Sequence, residues 1–292
     1  MIGVDWGTSS FRAYRVRGGA VVDRCAGPHG ILSVPPGGFP ATLRAAIHPW
    51  LDGGERHVLM SGMVGSRQGW LEAPYLPCPA GAAELARALV PVPFDGAQVL
   101  LVPGLSVPGD PPEVMRGEEV QVVGALAGSG GDAVACLPGS HSKWVQASGG
   151  RVTGFTTHMT GEAFAAVRDH TILRRLLQPG APPNPAAFAR GVARSGEPGG
   201  LLHHLFGVRT LGLFGELPGA AGESYLSGLL IGHEVRAAEG GALASPVHLI
   251  GEPALCALYA RAIELCGSTS VTAAADAAAR GLSLIGEQAA WA

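Results

Sequence analysis

The sequence predicts an α/β fold, and two observations carry that prediction. Short apolar runs typical of buried strands alternate with amphipathic segments of helical period along most of the 292 residues. Hydrophobic residues make up 47% of the chain and charged residues only 15%, so a sizeable core is available. A chain of this length is also long enough for two domains of about 100–200 residues each.

The first half is predicted to open with a strand and a hairpin. "MIGVDWG" has the pattern of a buried strand, and the glycine pair between "FRAYRV" and "AVVDRCA" allows the positive φ angles of a two-residue hairpin loop. An amphipathic helix over "FPATLRAAIHPWL" then leads to the strand "RHVLMSGMV" and the loop "GSRQGWLEAPYLPCPAG". A helix near 81–89, the strand "AQVLLVPG" and the helix "EVMRGEEVQVVGALAG" complete this half.

The second half repeats the opening and then becomes mainly helical. "DAVACLPGSHSKW" predicts a strand and a turn, and "KWVQASGGRVTGFTT" predicts a second hairpin. A long helix over about 161–177, the loop "QPGAPPNP" and the helix "AGESYLSGLLIGHEVRAAEG" follow. The strand "PVHLIG" precedes a helix over "EPALCALYARAIELCG", in which proline near the first turn is tolerated. A strand at 268–272 and an Ala-rich helix to about 280 end the chain.

Composition excludes several classes of function. The formal net charge of −3 provides no basic surface for nucleic acid or for an anionic membrane. No apolar run reaches the 18 residues of a membrane span, and the acidic start is unlike a signal peptide. The five cysteines lack C-x-x-C spacing and the ten histidines lack H-x-x-x-H or H-E-x-x-H spacing, so we expect neither a disulfide framework nor zinc chemistry. A cytoplasmic protein fits these features.

The strand, turn and hairpin occur twice in the same order. "GTSSFR", starting at Gly7, aligns with "GSHSKW", starting at Gly139, and a glycine pair follows each copy. Such turns present backbone N–H groups and hydroxyls to an anion, so two facing turns would hold the phosphates of a nucleotide. Chance similarity in a Gly-rich chain is the alternative. The predicted phosphate-binding residues are Gly7, Thr8, Ser9, Arg12, Gly139, Ser140, His141, Ser142 and the single lysine, Lys143.

Only the first copy carries a carboxylate. Asp5 lies two residues before Gly7, whereas the second copy has Leu137 in that place. A carboxylate beside a phosphate turn is suited to hold Mg²⁺ through water. A plain turn-capping role is the other interpretation of Asp5.

Seven strings carry a resemblance to a known family. In order they are "VDWGTSSFRAY", "GMVGSRQGW", "MRGEEVQ", "LPGSHSKWV", "FTTHMTGE", "SYLSGLLIGHE" and "LIGEP". Together they resemble the 2-dehydro-3-deoxygalactonokinases, which are members of the sugar kinase, heat-shock ATPase and actin superfamily. The likeness runs nearly end to end, with a mild departure at Ser140, where many members have threonine.

The resemblance implies two ribonuclease-H-like (actin-like ATPase) domains with a central nucleotide cleft. We place them at 1–130 and 131–292. It also implies a kinase that uses ATP and Mg²⁺ to phosphorylate the 6-hydroxyl of 2-dehydro-3-deoxy-D-galactonate, in galactonate catabolism. The expected partner is therefore a small anionic sugar acid, without nucleic acid or membrane, and the oligomeric state, including a homodimer, stays open.

The catalytic base is predicted at the start of a helix. Related sugar kinases place an acid there with an amide two residues later, and Glu119 with Gln121 has that spacing, so Glu119 is preferred and Glu118 is the alternative. The helix N-terminus would favour the ionised carboxylate. Two acids that merely complement the helix dipole would have the same sequence.

The remaining site residues are expected to bind the sugar acid and adenosine. A bidentate arginine suits the substrate carboxylate, with Arg67 the first choice and Arg116 the second. Gln68, Glu72, Tyr75 and Thr160 are further substrate-binding candidates, and Gly251 with Glu252 are candidates for adenosine. Ordinary loop, cap and surface roles are the alternatives for these residues, and we expect His158 and Trp70 to be structural.

Two other classes of function share these features. One is another small-molecule kinase of the same fold, of the 2-dehydro-3-deoxygluconate, N-acetylglucosamine or pantothenate type. The other is a non-enzymatic actin-like nucleotide switch, which usually needs additional subdomains. A P-loop or Rossmann site is not expected, because the chain lacks G-x-x-x-x-G-K-[ST] and its "GSGG" precedes a strand instead of following one.

Overall fold

The computed structural model describes residues 1–239 and 246–291. Its strands are β1 (Ile2–Trp6), β2 (Phe11–Arg17), β3 (Ala20–Gly27), β4 (His57–Ser61), β5 (Tyr75–Pro77), β6 (Ala80–Gly81), β7 (Val90–Val92), β8 (Gln98–Leu101), β9 (Gly104–Val107), β10 (Glu113–Met115), β11 (Ala133–Leu137), β12 (Ser142–Ser148), β13 (Arg151–His158), β14 (Val247–Leu249) and β15 (Ser270–Thr272). Its α-helices are α1 (Phe39–Asp52), α2 (Ala82–Arg87), α3 (Glu118–Ala125), α4 (Thr160–His170), α5 (Pro185–Ser195), α6 (Gly200–Leu213), α7 (Gly219–Glu239), α8 (Pro253–Leu265) and α9 (Ala277–Gly286). None of the helices in these ranges is both long enough and apolar enough to cross a membrane.

The sequence repeat is a structural repeat. Strands β1, β2 and β3 contain 5, 7 and 8 residues, and β11, β12 and β13 contain 5, 7 and 8 in the same order. Gly18 and Gly19 have φ angles of 55° and 76°, and Gly149 and Gly150 have φ angles of 57° and 76°. Positive φ at both loop residues is what a two-residue hairpin loop requires, so both predicted hairpins are confirmed.

The chain divides into two compact units. The first contains Met1–Asp132, Val145–Phe155 and the C-terminal stretch that begins at Ala273, and the second contains Ala133–Trp144 and Thr156–Thr272. Most of the β12–β13 hairpin, which follows the turn at residues 139–141 (the second turn), thus groups with the amino-terminal residues, and so does α9. The sequence-based division at 130/131 stays a prediction.

The sheet of the first unit has the order β3-β2-β1-β4-β8-β7. Strand β1 is antiparallel to β2 and parallel to β4, which is parallel to β8. The carboxyl ends of parallel strands meet at one edge of a sheet, and Asp5 pairs there with Ser61. The core beneath this sheet contains Leu43 and Ile47 of α1, both fully buried.

Helix α3 is held close to α9 within the first unit. A Cβ added to Gly124 would lie 1.9 Å from the carbonyl oxygen of Ala277, and one added to Gly281 would lie 1.9 Å from that of Val120. Each helix therefore has a glycine where the backbone of the other passes. This packing fixes the position of α3, which begins with the two predicted acids.

The second unit is built on the parallel strands β11, β14 and β15. Helices α5 and α7 are in close backbone contact, since a Cβ on Gly191 would lie 2.2 Å from the carbonyl oxygen of Tyr225 and one on Gly228 would lie 2.1 Å from that of Phe188. Helix α8 contributes Tyr259 and Ile263 to the core over the sheet. The α/β prediction is confirmed in both units.

Several predicted helix boundaries were wrong. The helix expected to run to 177 ends at His170, because Thr171 is extended and its side chain accepts a hydrogen bond from the Leu173 amide. The helix expected over "EVMRGEEVQVVGALAG" begins only at Glu118, because β10 occupies Glu113–Met115 and Gly117 has a φ of 106°. Helices α5 and α6 were not predicted, although Asn184 caps α5 and Pro185 follows it, which is a helix-start signal.

We predict that Glu55 stabilises the first unit in a pH-dependent way. Its Oε1 accepts from Arg15 Nε at 2.8 Å and its Oε2 lies 3.1 Å from the Met1 amino group. Although burial opposes ionisation, these partners lower the pKa of Glu55 from 4.5 to about 2. This contribution is present above pH 4.5 and is lost as the pH falls towards 2.

Replacing Glu55 with Gln should lower the free energy of unfolding at pH 7 by about 2–3 kcal/mol. Urea unfolding of both proteins at pH 7 and pH 3 measures the effect, and the difference should shrink at pH 3. An equal difference at both pH values would contradict the proposed ion pairing.

Candidate functional site

An acidic group forms at the carboxyl edge of the first unit's sheet. Gly62, which follows β4 with a φ of 95°, lies so close to β1 that an added Cβ would be 2.8 Å from the Trp6 carbonyl oxygen. A Cβ on Gly117 would in turn lie 3.1 Å from the Gly62 Cα. The chain leaving β4 therefore packs directly against the chain entering α3, which brings the first turn of α3 towards Asp5.

Asp5 is held in a partly desolvated, charged environment. Burial raises the pKa of its carboxyl, Arg12 lowers it, and the neighbouring Glu118 raises it. Arg12 Nη1 lies 3.5 Å from Asp5 Oδ2, and the Arg12 side chain remains 55% exposed. The net effect is a raised pKa, so a cation at Asp5 would be electrostatically favourable.

Glu118 and Glu119 lie in different environments. Glu118 is half-buried, and one of its carboxylate oxygens accepts from the Arg116 backbone amide at 3.1 Å. Glu119 is fully buried, and its Oε2 accepts from the Gly117 amide at 2.7 Å while its Oε1 has no hydrogen-bond partner in the described ranges. Burial, with Glu118 adding to it, raises the pKa of Glu119 to about 8. The helix N-terminus does not keep Glu119 ionised, because desolvation outweighs it.

The turn at residues 7–10 between β1 and β2, here called the first turn, presents its small polar residues to solvent. The Gly7 amide donates to the Ser10 carbonyl at 2.9 Å, and the side chains of Thr8 and Ser9 are exposed. Behind the turn, a Cβ on Gly30 would lie 2.3 Å from the Thr8 carbonyl oxygen. Gly30 therefore supports the turn, a role that its position 23 residues beyond Gly7 does not signal in the sequence.

The two candidate substrate arginines differ in exposure. Arg67 is 86% exposed and pairs with Glu72 at 3.3 Å, and the neighbouring Gln68 is also exposed. Arg116 is only 8% exposed, donates from Nη2 to the Ala73 carbonyl at 2.8 Å, and lies 4.4 Å from the Tyr75 ring centroid. The Nε and Nη1 atoms of Arg116 have no partner among residues 1–239 and 246–291.

The second turn is supported by the start of α4. A Cβ on Gly161 would lie 2.6 Å from the Gly139 carbonyl oxygen, and the Glu162 amide donates to the Ser140 carbonyl at 3.1 Å. His141 Nε2 lies 2.5 Å from Glu162 Oε2, and both side chains are half exposed. The "THMTGE" segment therefore holds the turn in place and adds a carboxylate beside His141.

Lys143 and Ser142 are turned inward at the base of this turn. Lys143 is 5% exposed and donates from Nζ to the His141 carbonyl at 3.0 Å. Ser142 is fully buried, and its hydroxyl lies 2.8 Å from the Tyr259 hydroxyl. Both side chains support the turn, and the predicted contact of each with a phosphate stays a prediction.

A cavity of about 850 Å³ opens beside the second turn. Its wall includes Gly139, Ser140, Thr160, Glu252 and Tyr259, all in the second unit. Glu252 also caps α8, since its carboxylate oxygens accept from the Ala254 and Leu255 amides at 3.0 and 2.8 Å, and these hydrogen bonds lower its pKa. Most of the remaining wall is apolar, which suits a flat heterocycle.

The structure thus brings the predicted residues together in two groups. Asp5, Arg12 and Glu118 form one group in the first unit, and Gly139, Ser140, Thr160 and Glu252 form another in the second. Gly251 is exposed with a φ of 149°, and a Cβ there would be 3.7 Å from the Pro138 carbonyl oxygen, next to the second turn. Arg67 pairs instead with Glu72.

Sequence reasoning missed several residues of the second group. Ser224 and Ser227 of α7 and Asn184 line the cavity, and Tyr259 of α8 does so as well. The only signal for the two serines was the quoted string "SYLSGLLIGHE", to which no role was assigned. Among the described residues, no three His, Cys, Asp or Glu side chains are grouped to hold a metal ion.

Comparison with known proteins gives one family over nearly the whole chain. A family model described as 2-keto-3-deoxy-galactonokinase matches residues 5–285. A Rhizobium meliloti protein named as a probable 2-dehydro-3-deoxygalactonokinase is 37% identical over 284 residues, covering 95% of this chain and 93% of that protein. The 2-dehydro-3-deoxygalactonokinase of Escherichia coli is 34% identical, covering 95% of this chain and 94% of that one.

Solved structures agree with this similarity. A crystal structure from Sinorhizobium meliloti, described as a candidate 2-dehydro-3-deoxygalactonokinase, matches with a TM-score of 0.88 and 36% identity over 98% of each chain. Component A of the (R)-2-hydroxyglutaryl-CoA dehydratase of Acidaminococcus fermentans matches with a TM-score of 0.54 at 11% identity, covering 99% of this chain and 98% of that one. The second similarity shows the fold alone, and the predicted actin-like ATPase fold class is confirmed.

We predict that Glu119 makes the stability of the protein fall as the pH rises from about 5 to 8. The folded chain keeps the Glu119 proton up to about pH 8, whereas an unfolded chain releases it near its ordinary pKa of 4.5. The unfolded state therefore binds fewer protons in this window, and each pH step favours unfolding.

Glu119→Gln removes the titrating carboxyl group but keeps a side-chain oxygen that can accept from the Gly117 amide. Its urea midpoint between pH 5 and 8 should fall less than that of the wild type. Parallel curves for the two proteins would show that Glu119 titrates normally.

Proposed function

The chain belongs to the 2-keto-3-deoxy-galactonokinase family, and from that premise we propose that it transfers the γ-phosphoryl group of ATP to the 6-hydroxyl of 2-dehydro-3-deoxy-D-galactonate. The observation that carries the proposal is the family match over residues 5–285. The two residue groups of the candidate site supply the chemistry that such a transfer needs. None of the five cysteines, all of which lie in the described ranges, is in a disulfide, which suits a reaction in the reducing cytoplasm.

The cavity of the second unit is the proposed adenosine site. Its apolar wall suits an adenine ring, while Asn184, Ser224 and Ser227 provide polar atoms for the base or ribose. Gly139 and Ser140 line the same cavity, so phosphates attached to that nucleoside would reach the second turn. Thr160 lies on the same wall, and we assign it to the nucleotide side of the site instead of to the sugar acid.

Phosphate oxygens would accept hydrogen bonds from N–H and O–H groups of the candidate residues, and Mg²⁺ would be bound by a carboxylate oxygen. Within the second unit, the backbone N–H groups and hydroxyl of the second turn can donate to phosphate oxygens. Within the first unit, the exposed Arg12 guanidinium is a separate candidate for binding an anion. Asp5 fits Mg²⁺, because its partly buried carboxyl has a raised pKa that a cation would offset. One carboxylate is enough, since Mg²⁺ usually keeps several waters and takes its other ligands from phosphates. When bound, Mg²⁺ supplies positive charge to the phosphate oxygens.

We assign the role of general base to Glu118. A base must lie within hydrogen-bonding distance of the hydroxyl from which it takes a proton, and Glu118 is half-buried whereas Glu119 is fully buried. Glu119 also keeps its own proton up to about pH 8. Its role is then to fix Gly117 and the start of α3 through the hydrogen bond to the Gly117 amide.

Arg67 remains the proposed partner of the substrate carboxylate. It is 86% exposed, and its surface pair with Glu72 is of the kind worth only about 0–1 kcal/mol, so a substrate carboxylate can replace Glu72. Arg116 is instead buried, with Nη2 donating to the Ala73 carbonyl and the guanidinium lying over the Tyr75 ring. Tyr75 is 43% exposed and can present its hydroxyl to a sugar hydroxyl.

The proposed reaction predicts formation of ADP that depends on both the sugar acid and Mg²⁺. Purified protein, ATP and Mg²⁺ should release ADP faster when 2-dehydro-3-deoxygalactonate is added. The gluco epimer, N-acetylglucosamine and pantothenate are the comparison substrates in the same coupled assay. Absence of stimulation by the galacto and gluco acids would reject the proposed function.

The two neighbouring acids provide a matched pair of variants. Glu118→Gln should lower kcat by about 10²–10⁴-fold because it removes the base, with the Kd for ATP unchanged. Glu119→Gln should keep kcat within about tenfold of the wild type, because glutamine can still accept from the Gly117 amide. Steady-state kinetics and calorimetric ATP binding measure both. A large loss of kcat in Glu119→Gln alone would assign the base to Glu119.

A further inference from the structure

Glu234 is a buried acid that the proposed chemistry does not use. It lies on α7 within the string "SYLSGLLIGHE" and is only 3% exposed. Its Oε1 accepts from Trp144 Nε1 at 2.8 Å, and its Oε2 accepts from the Tyr259 hydroxyl at 2.7 Å. A carboxyl group is costly to bury, so one that both neighbours satisfy with short hydrogen bonds calls for a specific explanation.

The hydrogen bonds continue from Tyr259 to Ser142 at the second turn, and each hydroxyl donates its proton towards Glu234. The single hydroxyl proton of Tyr259 is donated to Glu234, so the Tyr259 oxygen accepts at its other contact, from Ser142 Oγ at 2.8 Å. The Gly139 carbonyl oxygen lies farther from Ser142 Oγ, at 3.4 Å. The Ser142 proton is therefore directed to Tyr259, away from any ligand at the turn.

This chain of bonds joins three elements at the end of the cavity. Glu234 comes from α7, Tyr259 from α8, and Ser142 is the first residue of β12, directly after the turn. Tyr259 also lines the 850 Å³ cavity together with Gly139 and Ser140. A shift of Tyr259 would therefore move one wall of the cavity and the base of the turn together.

We propose that Glu234 is a positioning residue for the second turn and acts on it through Tyr259 and Ser142. This inference rests on the proposed function in that the turn and the cavity are taken to bind ATP. Beyond that function, Glu234 would set the affinity for the nucleotide without touching it. Hydrogen bonds in such a buried chain support one another, so loss of either end should loosen the turn.

Tyr259→Phe and Glu234→Gln test the proposal, with Tyr225→Phe as the matched control. Tyr225 is 2% exposed on the same helix as Glu234 and lines a different hollow, with Arg190 and Thr210. Tyr259→Phe removes only the hydroxyl, and Glu234→Gln replaces one acceptor oxygen with a donor. Calorimetry with a non-hydrolysable ATP analogue gives Kd, and steady-state assays give KM for each substrate.

Tyr259→Phe and Glu234→Gln should each raise the Kd for the ATP analogue about three- to tenfold, as expected for one buried hydrogen bond. The KM for the sugar acid should change less than twofold, and Tyr225→Phe should bind the analogue like the wild type. In the double variant, Glu234→Gln should add little to Tyr259→Phe, because the same link is already broken.

Three results would overturn the proposal. The first is an unchanged Kd in both single variants, and the second is a fully additive loss in the double variant. The third is an equal rise in Kd for Tyr225→Phe, which would mean that any buried tyrosine of the second unit has this effect. If Glu234→Gln does not fold, Tyr259→Phe and Ser142→Ala decide the question from the other end of the chain. Failure of the wild type to bind the analogue would instead reject the proposed function.

Discussion

The close packing of α3 against α9 is the constraint on which the candidate site of the first unit depends. With Gly124 and Gly281 at the crossing, a single added Cβ on either helix would lie 1.9 Å from a carbonyl oxygen of the other. The start of α3 is fixed by a second close approach, of Gly117 to Gly62. These two contacts hold the α3 acids near Asp5 and remove much of their water. The electrostatics of the site, in which burial raises the pKa of Asp5 and Glu119, follow from that packing.

The two units deal with buried acids in different ways. In the first unit one oxygen of Glu119 has no partner in the described part of the chain, and the ion-pair partner of Asp5 is the exposed Arg12. Asp5 is suited to bind a cation, whereas Glu119 stays protonated up to about pH 8 and fixes the start of α3. In the second unit both oxygens of Glu234 accept hydrogen bonds, which suits a fixed structural support. The first unit therefore contains the acids proposed for Mg²⁺ and for the general base, Asp5 and Glu118, whereas the buried acid of the second unit is fully hydrogen-bonded.

Local signals predicted the strands of the two repeats, both hairpins and the positions of the two turns, together with β4, β8, β14 and β15. The short strands β5, β6, β7, β9 and β10 were not predicted. The glycine pairs are such a signal, since positive φ at both residues is a property of the loop alone. Burial and side-chain direction could not be predicted from the sequence, because they depend on packing between distant residues. The spacing of Glu119 and Gln121 matched that of a catalytic base, but only packing shows that Glu119 is fully buried. Ser142 likewise fits the pattern of a phosphate turn, whereas its inward direction depends on Tyr259, more than a hundred residues later in the chain. Helix α5 was missed because its cap, Asn184, lies within the proline-rich "QPGAPPNP", which suggested only a loop.

Whether packing desolvates Glu119 at the start of α3 can be measured by following carboxyl ¹³C chemical shifts through a pH titration. One glutamate carboxyl carbon should have a midpoint near pH 8, and this signal should be absent from the spectrum of Glu119→Gln. A Glu119 midpoint near the ordinary 4.5, with no glutamate titrating near pH 8, would show that packing does not desolvate this carboxyl.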